Sequence, residues 1–268
     1  MSDSNDNNVK KEPYLNSSLL NKKWINFFAP VLLTLVIFAI WHALVVVFKI
    51  PIWAVDTPVG VFTQLFTKFD QILPHALISI RTLFTGYIIG VVVGIVLGGF
   101  MSNFPIVDKA LSPYVIFLVC TPLMTLVPLM MIWLGFGLLP KIIAVILQTF
   151  PIVMMNTATG FANVDIERKE LMMSMKAGRI ATFFRVLVPS ALPNIFTGMK
   201  LGCIFATTTT IAVEFVGGNT GLGSQIIKHT QYMRTGLAFA CIFTVAIISI
   251  ALYGIVTLGE RYAVRWKE

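Results

Sequence analysis

The feature that most constrains this chain is a series of apolar runs, each about as long as a bilayer core is thick. Six such runs follow one another along the 268 residues, and an α-helix needs roughly 20 residues to cross that core. Their approximate bounds are 27–48, 80–101, 114–134, 140–161, 191–214 and 236–258. Because a segment in lipid must satisfy its own backbone hydrogen bonds, the pattern predicts an all-α membrane protein with six transmembrane helices.

The distribution of charge predicts how these helices are oriented. Only 12% of the residues are charged, against about a quarter in soluble domains. The net charge of +8 could suit a nucleic acid, but the basic residues are scattered beside apolar runs, so we expect the lipid bilayer and no nucleic acid. Most Lys and Arg lie in the pieces 1–26, 102–113, 162–190 and 259–268. The positive-inside rule therefore places these pieces, and both termini, in the cytoplasm.

The connecting pieces complete the predicted organisation. Residues 1–26 form a polar cytoplasmic tail, and the apolar run at 27–48 begins too late for a secretory signal, so it is predicted to be an uncleaved first transmembrane helix. Residues 49–79 read as an external amphipathic connection that either lies on the membrane surface or packs on neighbouring helices. Residues 80–258 form the transmembrane core, with a charged loop at 163–190, and 259–268 form a cytoplasmic tail.

A row of glycines marks the second span as a packing helix. Gly86, Gly90, Gly94 and Gly98 recur every four residues, and small residues at this spacing form a smooth helix face that another backbone can approach closely. We expect this face to contact another helix, either within the subunit or across a dimer.

Polar residues in the later spans are candidates for a translocation path. Asn156, Thr207, Thr210 and Glu214 lie in or near the ends of two predicted spans. An acidic group there is costly unless it faces water or a partner, so Glu214 is predicted at the outer end of a path, with a structural ion pair as the alternative. The threonines can instead bond back to their own helix. Prolines such as Pro122 are expected to kink the central helices.

The most charged stretch between the spans runs from Asn163 to Pro193. Asp165 is placed to cap a helix and Glu167 then lies in its first turn, where the helix dipole favours negative charge. Gly178 is a candidate C-cap. The stretch reads either as a short helix at the membrane face, offered to a soluble partner, or as a solvated loop.

This stretch resembles the coupling loop of binding-protein-dependent ABC importer permeases. That pattern is Glu-Ala-Ala, three residues, Gly, and a basic-aromatic part that ends in a hydrophobic-Pro pair. In this chain Glu170 falls on the Glu, Phe184-Arg185 on the basic-aromatic part and Val188-Pro189 on the hydrophobic-Pro pair. Lys176 stands where the family usually has Gly. The flanking stretches PLMMIWLGFG and GLGSQI also look most like permeases for nitrate, sulfonates, taurine and pyrimidine precursors, and the resemblance covers about residue 80 to the C-terminus.

The resemblance implies a fold, partners and a location. It implies the type I ABC importer permease fold with a cytoplasmic coupling helix, in the bacterial plasma membrane. The implied partners are a second permease copy, as a homodimer, two ATPase subunits and an extracytoplasmic binding protein. The implied ATPase-coupling residues are Asp165, Glu167, Glu170, Lys176, Ala177, Gly178, Arg179, Arg185 and Pro189.

The sequence also excludes several kinds of chemistry. It contains no G-x-x-x-x-G-K-[ST] loop, H-E-x-x-H or G-x-S-x-G motif, so we predict no catalytic residues, no metal and no cofactor of its own, with ATP and Mg on the partner ATPase. The alternatives are an ion-coupled secondary carrier, and a membrane enzyme or scaffold. Because basic residues concentrate at the predicted cytoplasmic face, a neutral or zwitterionic solute is favoured.

Overall fold

The computed structural model describes residues 23–218 and 220–264, and these residues form helices and connecting turns without a β-strand. The described part divides into two units, which lie within residues 23–59 and 60–264, respectively. The helices are α1 (Lys23–Val47), α2 (Pro58–Thr67), α3 (Phe69–Asn103), α4 (Pro105–Cys120), α5 (Leu123–Leu134), α6 (Leu138–Ala162), α7 (Ile166–Ser174), α8 (Arg179–Thr182), α9 (Val188–Val216), α10 (Leu222–Gln231) and α11 (Thr235–Ala263).

Five of these helices are long and apolar enough to cross a membrane: α1, α3, α6, α9 and α11, the span of α9 beginning at Phe183. Each coincides with one of the predicted spans. The pair α4–α5 makes a sixth crossing if its two helices are counted together. The fold is therefore the all-helical membrane architecture that the apolar runs predict.

The predicted third span, 114–134, is not one continuous helix. The chain bends by 94° between α4 and α5, at Thr121 and Pro122, which both have extended backbone conformations. A proline ring clashes with a helical conformation of the residue before it and removes a backbone donor, so the helix ends there rather than merely kinking. The apolar run alone carried no information about the direction of the chain after the break.

The second span is longer than its apolar core. Helix α3 begins at Phe69 rather than near residue 80, and Asp70 lies in its first turn, where negative charge is stabilising. Pro74 lies near this end of the helix. Residues 69–79, predicted to belong to the external connection, therefore extend the helix beyond the apolar run.

Helix α6 lies between α3 and α9 and forms the centre of the second unit. The four glycines of α3 face α6, where a Cβ atom on Gly86, Gly90, Gly94 or Gly98 would come within 2.6–2.8 Å of the Cβ atom of Val145, Thr149, Val153 or Thr157, respectively. These four partners share the same four-residue spacing, so a β-branched ridge of α6 fits a glycine groove of α3.

A second seam joins α6 to α9 on its other side. A Cβ atom on Gly198 would lie 2.7 Å from the Cβ atom of Asn156, and the hydroxyl of Tyr87 on α3 donates to the carbonyl oxygen of Met199 on α9 at 2.9 Å. The buried core at this level includes Tyr87, Val153 and Cys203. The three helices are thus packed closely, and a hydrogen bond joins α3 to α9.

Candidate coupling segment and outer polar cluster

The coupling segment, residues 163–190, connects the end of α6 to the start of α9. Asp165 directly precedes α7, and Glu167 lies in the first turn of that helix. The Asp165 carboxylate and Arg168 Nε lie 3.1 Å apart, with about two thirds of each side chain exposed. An exposed pair of this kind contributes little to stability, so both charges remain available to a partner.

Helix α7 ends on a residue in the left-handed conformation, and that residue is Lys176. Its φ is +51°, and the N–H of Ala177 closes the helix by donating to the carbonyl oxygen of Met172 at 3.0 Å. The prediction of Gly178 as C-cap is therefore wrong by two positions. A residue with a side chain is strained in this conformation, whereas glycine is not. This gives a physical reason for the glycine that the family pattern has at the position of Lys176.

A single π-helical turn, Phe183–Leu187, leads into α9. The N–H of Val188 bonds to the carbonyl oxygen of Phe183, five residues earlier. Pro189 follows; it has no N–H for the carbonyl four residues back, and its ring would clash with that carbonyl in a regular helix. The wider turn accommodates this proline, and π-turns inside helices often mark functional sites.

Stacked aromatic rings attach the coupling segment to the membrane core. The rings of Phe183 and Phe161 lie 5.7 Å apart and nearly parallel, at 15°. Phe161, near the end of α6, is buried together with Ala191 and Ile195 of α9. The π-turn therefore packs directly on the seam between α6 and α9.

The coupling segment also presents exposed apolar side chains among charges. Leu171, Met175 and Phe184 are 61–70% exposed. Glu167, Glu170, Lys176, Gly178 and Arg185 are also exposed, whereas Ala177 and Pro189 are half-buried. The backbone of Arg179 begins α8, but its side chain lies outside the described residues. Exposed apolar groups surrounded by charge are typical of a protein-binding surface.

A buried polar cluster lies at the far end of α9, and we term it the outer cluster: Ser79, Lys141, Glu214 and residues 220–223. Glu214 is fully buried. Ser79 Oγ lies 2.8 and 2.9 Å from its two carboxylate oxygens, and the N–H of Gly223 donates to Oε2 at 2.8 Å. The N–H of Leu222 in turn donates to Ser79 Oγ at 2.8 Å.

The rest of the outer cluster fixes the turn before α10. Lys141 Nζ, almost fully buried, donates to the carbonyl oxygen of Thr220 at 3.0 Å. Gly221 has φ +103°, and a Cβ atom there would lie 2.2 Å from the carboxyl group of Glu214. Only glycine fits this position. The outer cluster thus joins α3, α6 and α9 to the first residues of α10 and anchors that helix.

Most of the predicted path residues are buried in the structure. Thr207, Thr210 and Glu214 are buried within the protomer, and the two threonine hydroxyls donate to Cys203 and Ala206 carbonyl oxygens. Asn156 is half-buried in the α6–α9 seam and donates to the carbonyl oxygen of Ile152. Their side-chain hydrogen bonds therefore close within the protomer, and a path lined by these side chains stays a prediction.

Sequence reasoning found neither Ser79 as the partner of Glu214 nor Lys141 as a member of the outer cluster. A lysine three residues into an apolar helix is a signal that could have been read, since an ionisable residue at membrane depth needs a partner. Ser79 carries no such signal, because a single serine is common in membrane helices. The described residues bring no group of three or more metal-ligating side chains together.

The chain is similar to known transport proteins along most of its length. It is 27% identical over 263 residues to a putative aliphatic sulfonates transport permease protein of Bacillus subtilis, covering 97% of this chain and 92% of that protein. It is 32% identical over 170 residues to the taurine transport system permease protein of Escherichia coli, covering 63% and 60%. A crystal structure of an amino acid ABC transporter with histidines shares the fold, with a TM-score of 0.62 at 17% identity over 75% of this chain and 98% of that one.

The family comparison covers most of the core that the fold defines. Residues 90–263 match the family described as binding-protein-dependent transport system inner membrane component. The match begins within the glycine groove of α3 and ends at the last residue of α11. It therefore includes the coupling segment and the α9–α10 turn. The chain is a membrane permease that belongs to the family of binding-protein-dependent transport system inner membrane components.

Proposed function

We propose that this chain is the permease subunit of an ATP-driven importer that takes up a small solute. Two copies form the path, two ATPase subunits dock on their coupling segments, and a soluble binding protein delivers the solute to the outer face. Both termini are cytoplasmic in this assembly. The observation that carries the proposal is the exposure of Leu171, Met175 and Phe184 on a segment that the stacking of Phe183 on Phe161 attaches to the core.

Helix α9 connects the coupling segment to the outer cluster. Its 29 residues span roughly 43 Å at 1.5 Å per residue, from the π-turn at one end to Glu214 and Gly217 at the other. When ATP binding, which needs Mg, closes the two partner ATPases, the coupling segments move with them. The Phe161–Phe183 contact passes this motion to α6 and α9, and the outer cluster passes it on to α10.

The proposed substrate class follows the relatives. The Bacillus subtilis and Escherichia coli permeases are assigned to aliphatic sulfonates and to taurine, respectively. We extend this class to the present chain, so that its solute is a small sulfonate or a compound of similar size. The binding protein makes the first selection and the permease accepts what is delivered.

The docking proposal is tested by adding charge to the exposed apolar face. Leu171→Asp combined with Met175→Asp places two carboxylates on it, and we expect the ATPase to be lost on purification while the permease remains folded. The matched control is Lys109→Glu, an exposed residue of α4 outside the coupling segment, which should retain the ATPase. Retention of the ATPase by the double variant would contradict docking at this face.

A milder change separates docking from coupling. Glu170 is exposed on α7, and its replacement by Ala is expected to reduce solute uptake per ATP hydrolysed, or to weaken assembly, without unfolding the permease. Normal transport by Glu170→Ala would count against a role for this carboxylate.

A further inference from the structure

An open cavity lies between the end of α9 and helix α10, and we term it the outer cavity. Its volume is about 590 Å³, and it is lined by Phe215 on one side and by Ser224, Gln225, Lys228, Gln231 and Tyr232 on the other. Pockets for small ligands are commonly about 300–1,000 Å³. The outer cavity is therefore large enough for a solute of a few heavy atoms together with its water.

The polar side chains that line the outer cavity can all donate hydrogen bonds, and no described lining residue is acidic. None of the described lining residues is Asp or Glu, and Lys228 makes no ion pair with any residue that the structure describes. The side-chain amide of Gln225 likewise has no hydrogen bond within the described part, although the residue is only 8% exposed. An ammonium group and unpaired amide N–H groups together suit an oxyanion such as a sulfonate or carboxylate.

The surroundings strengthen this positive character. Arg234 and Lys228 both act on His229, whose pKa is lowered first by burial and then by these two cations and His75. Glu214, which adjoins the cavity residue Phe215 in sequence, is held by Ser79 and the N–H of Gly223 and has no exposed surface. A concave site lined by one sign of charge concentrates ligands of the opposite sign.

The outer cavity is also rigidly built at its base. Gly221 and Gly223, which begin α10, are held by the outer cluster, and Ser224 Oγ donates to the carbonyl oxygen of Gly221 at 2.8 Å. Since Gln225 and Lys228 lie within the next two turns of the same helix, anchoring its start sets their positions relative to Phe215 on α9. A helix whose start is already anchored needs less ordering of its backbone when a ligand binds.

The face of α9 that carries the cavity residue Phe215 also carries exposed side chains farther along the helix. Leu201, Phe205, Thr208 and Phe215 are exposed, and their spacing of three, four and seven residues places them on one helix face. These side chains run from the outer cavity toward the coupling segment.

We infer that the outer cavity is a receiving site for the anionic group of the transported solute, with Lys228 as its counter-charge and Gln225 and Gln231 as further donors. This inference rests on the proposed import function and specifies its substrate as a small sulfonate or carboxylate. A zwitterion satisfies it as well as a simple anion, because only the anionic group is held. The apolar wall at Phe215 accommodates the short carbon chain.

The test is direct binding to the purified permease–ATPase complex in lipid nanodiscs, without the binding protein. The probe is radiolabelled taurine, with methanesulfonate and ethylamine as competitors that carry the anionic and the cationic half alone. We expect methanesulfonate to compete and ethylamine not to. Lys228→Gln should weaken taurine binding about tenfold or more, because a charge-assisted hydrogen bond is lost, and Lys228→Arg should keep most of it.

The control variant is Arg234→Gln, which removes a nearby positive charge that does not line the cavity, and it should change binding less than Lys228→Gln. Unchanged binding by Lys228→Gln, competition by ethylamine, or no taurine binding by the wild-type complex would each overturn the inference. These results are distinct from failure of the proposed function, which would show as the absence of an ATPase from the purified material.

Discussion

The contact between the glycine groove of α3 and the ridge of α6 makes a sharp prediction for Gly94→Ala. The new Cβ atom would lie 2.7 Å from the Cβ atom of Val153 and 2.7 Å from the carbonyl oxygen of Phe150. Carbon atoms pack best at about 3.5–4.0 Å, so the two helices must separate locally by roughly 1 Å. One of the two obstacles is backbone, which cannot be removed by a change of rotamer.

The magnitude follows from two opposing terms. Overpacking a tight contact costs about 1–3 kcal/mol, whereas replacing glycine by alanine in a helix gains up to about 1 kcal/mol. We therefore expect Gly94→Ala to lower the free energy of unfolding by about 1–2 kcal/mol. Gly90→Ala affects the same seam, because its new Cβ atom would lie 2.8 Å from Thr149 Cβ. When it is added to Gly94→Ala, it should lower the free energy of unfolding by less than it does in the wild type, because the helices have already separated.

The assay is unfolding in mixed micelles by titration with SDS, followed by circular dichroism. The matched control is Gly254→Ala on α11, where a Cβ atom would meet nothing within 4 Å, and this variant should be as stable as the wild type or slightly more stable. If Gly94→Ala is as stable as Gly254→Ala, the close approach of α3 and α6 described above is wrong.

Three further predictions concern single side chains. Lys176→Gly should stabilise the end of α7 by about 1 kcal/mol, because φ is +51° there; slower hydrogen exchange in residues 171–178 would show it, and faster exchange would refute it. Glu214→Gln leaves buried N–H and O–H donors poorly paired and should loosen α10 by about 1–3 kcal/mol, measured by exchange of its amides, whereas Asp108→Asn at an exposed carboxylate should not. Because the pKa of His229 is lowered by burial and neighbouring cations, the folded state resists protonation there. Stability should be fully present above the ordinary histidine pKa of about 6.5 and fall as the pH drops below it, and His229→Gln should flatten this profile in thermal melts.

The sequence predicts the membrane-spanning helices well because their signal is local. An apolar run of the right length identifies a span wherever it occurs, and the spacing of Gly86, Gly90, Gly94 and Gly98 identifies a contact face. The partner of that face is not encoded in the spacing. Val145 and Thr149 could be identified as the facing residues only after α3 and α6 had been placed side by side.

In the candidate sites, too, local features could be predicted from the sequence and long-range contacts could not. The charges and the proline of residues 163–190 indicate a segment outside the membrane, and Asp165 and Glu167 fit the start of a helix. The conformation of Lys176, by contrast, depends on how the chain turns toward α8, and the π-turn depends on Pro189. The hydrogen-bond partners of Glu214 could not be predicted from the local sequence pattern, because Ser79 is 135 residues away along the chain.

The central claim is that the coupling segment docks a separate ATPase, and purification of the native complex tests it most directly. The chain would be isolated from its own membranes in mild detergent, and the co-purifying proteins and the rate of ATP hydrolysis would be measured. We predict an ATPase with a P-loop in equal amount and hydrolysis that vanadate inhibits. A chain that purifies alone under conditions that keep related transporters intact, and whose transport follows an ion gradient, would contradict the account and favour a secondary carrier.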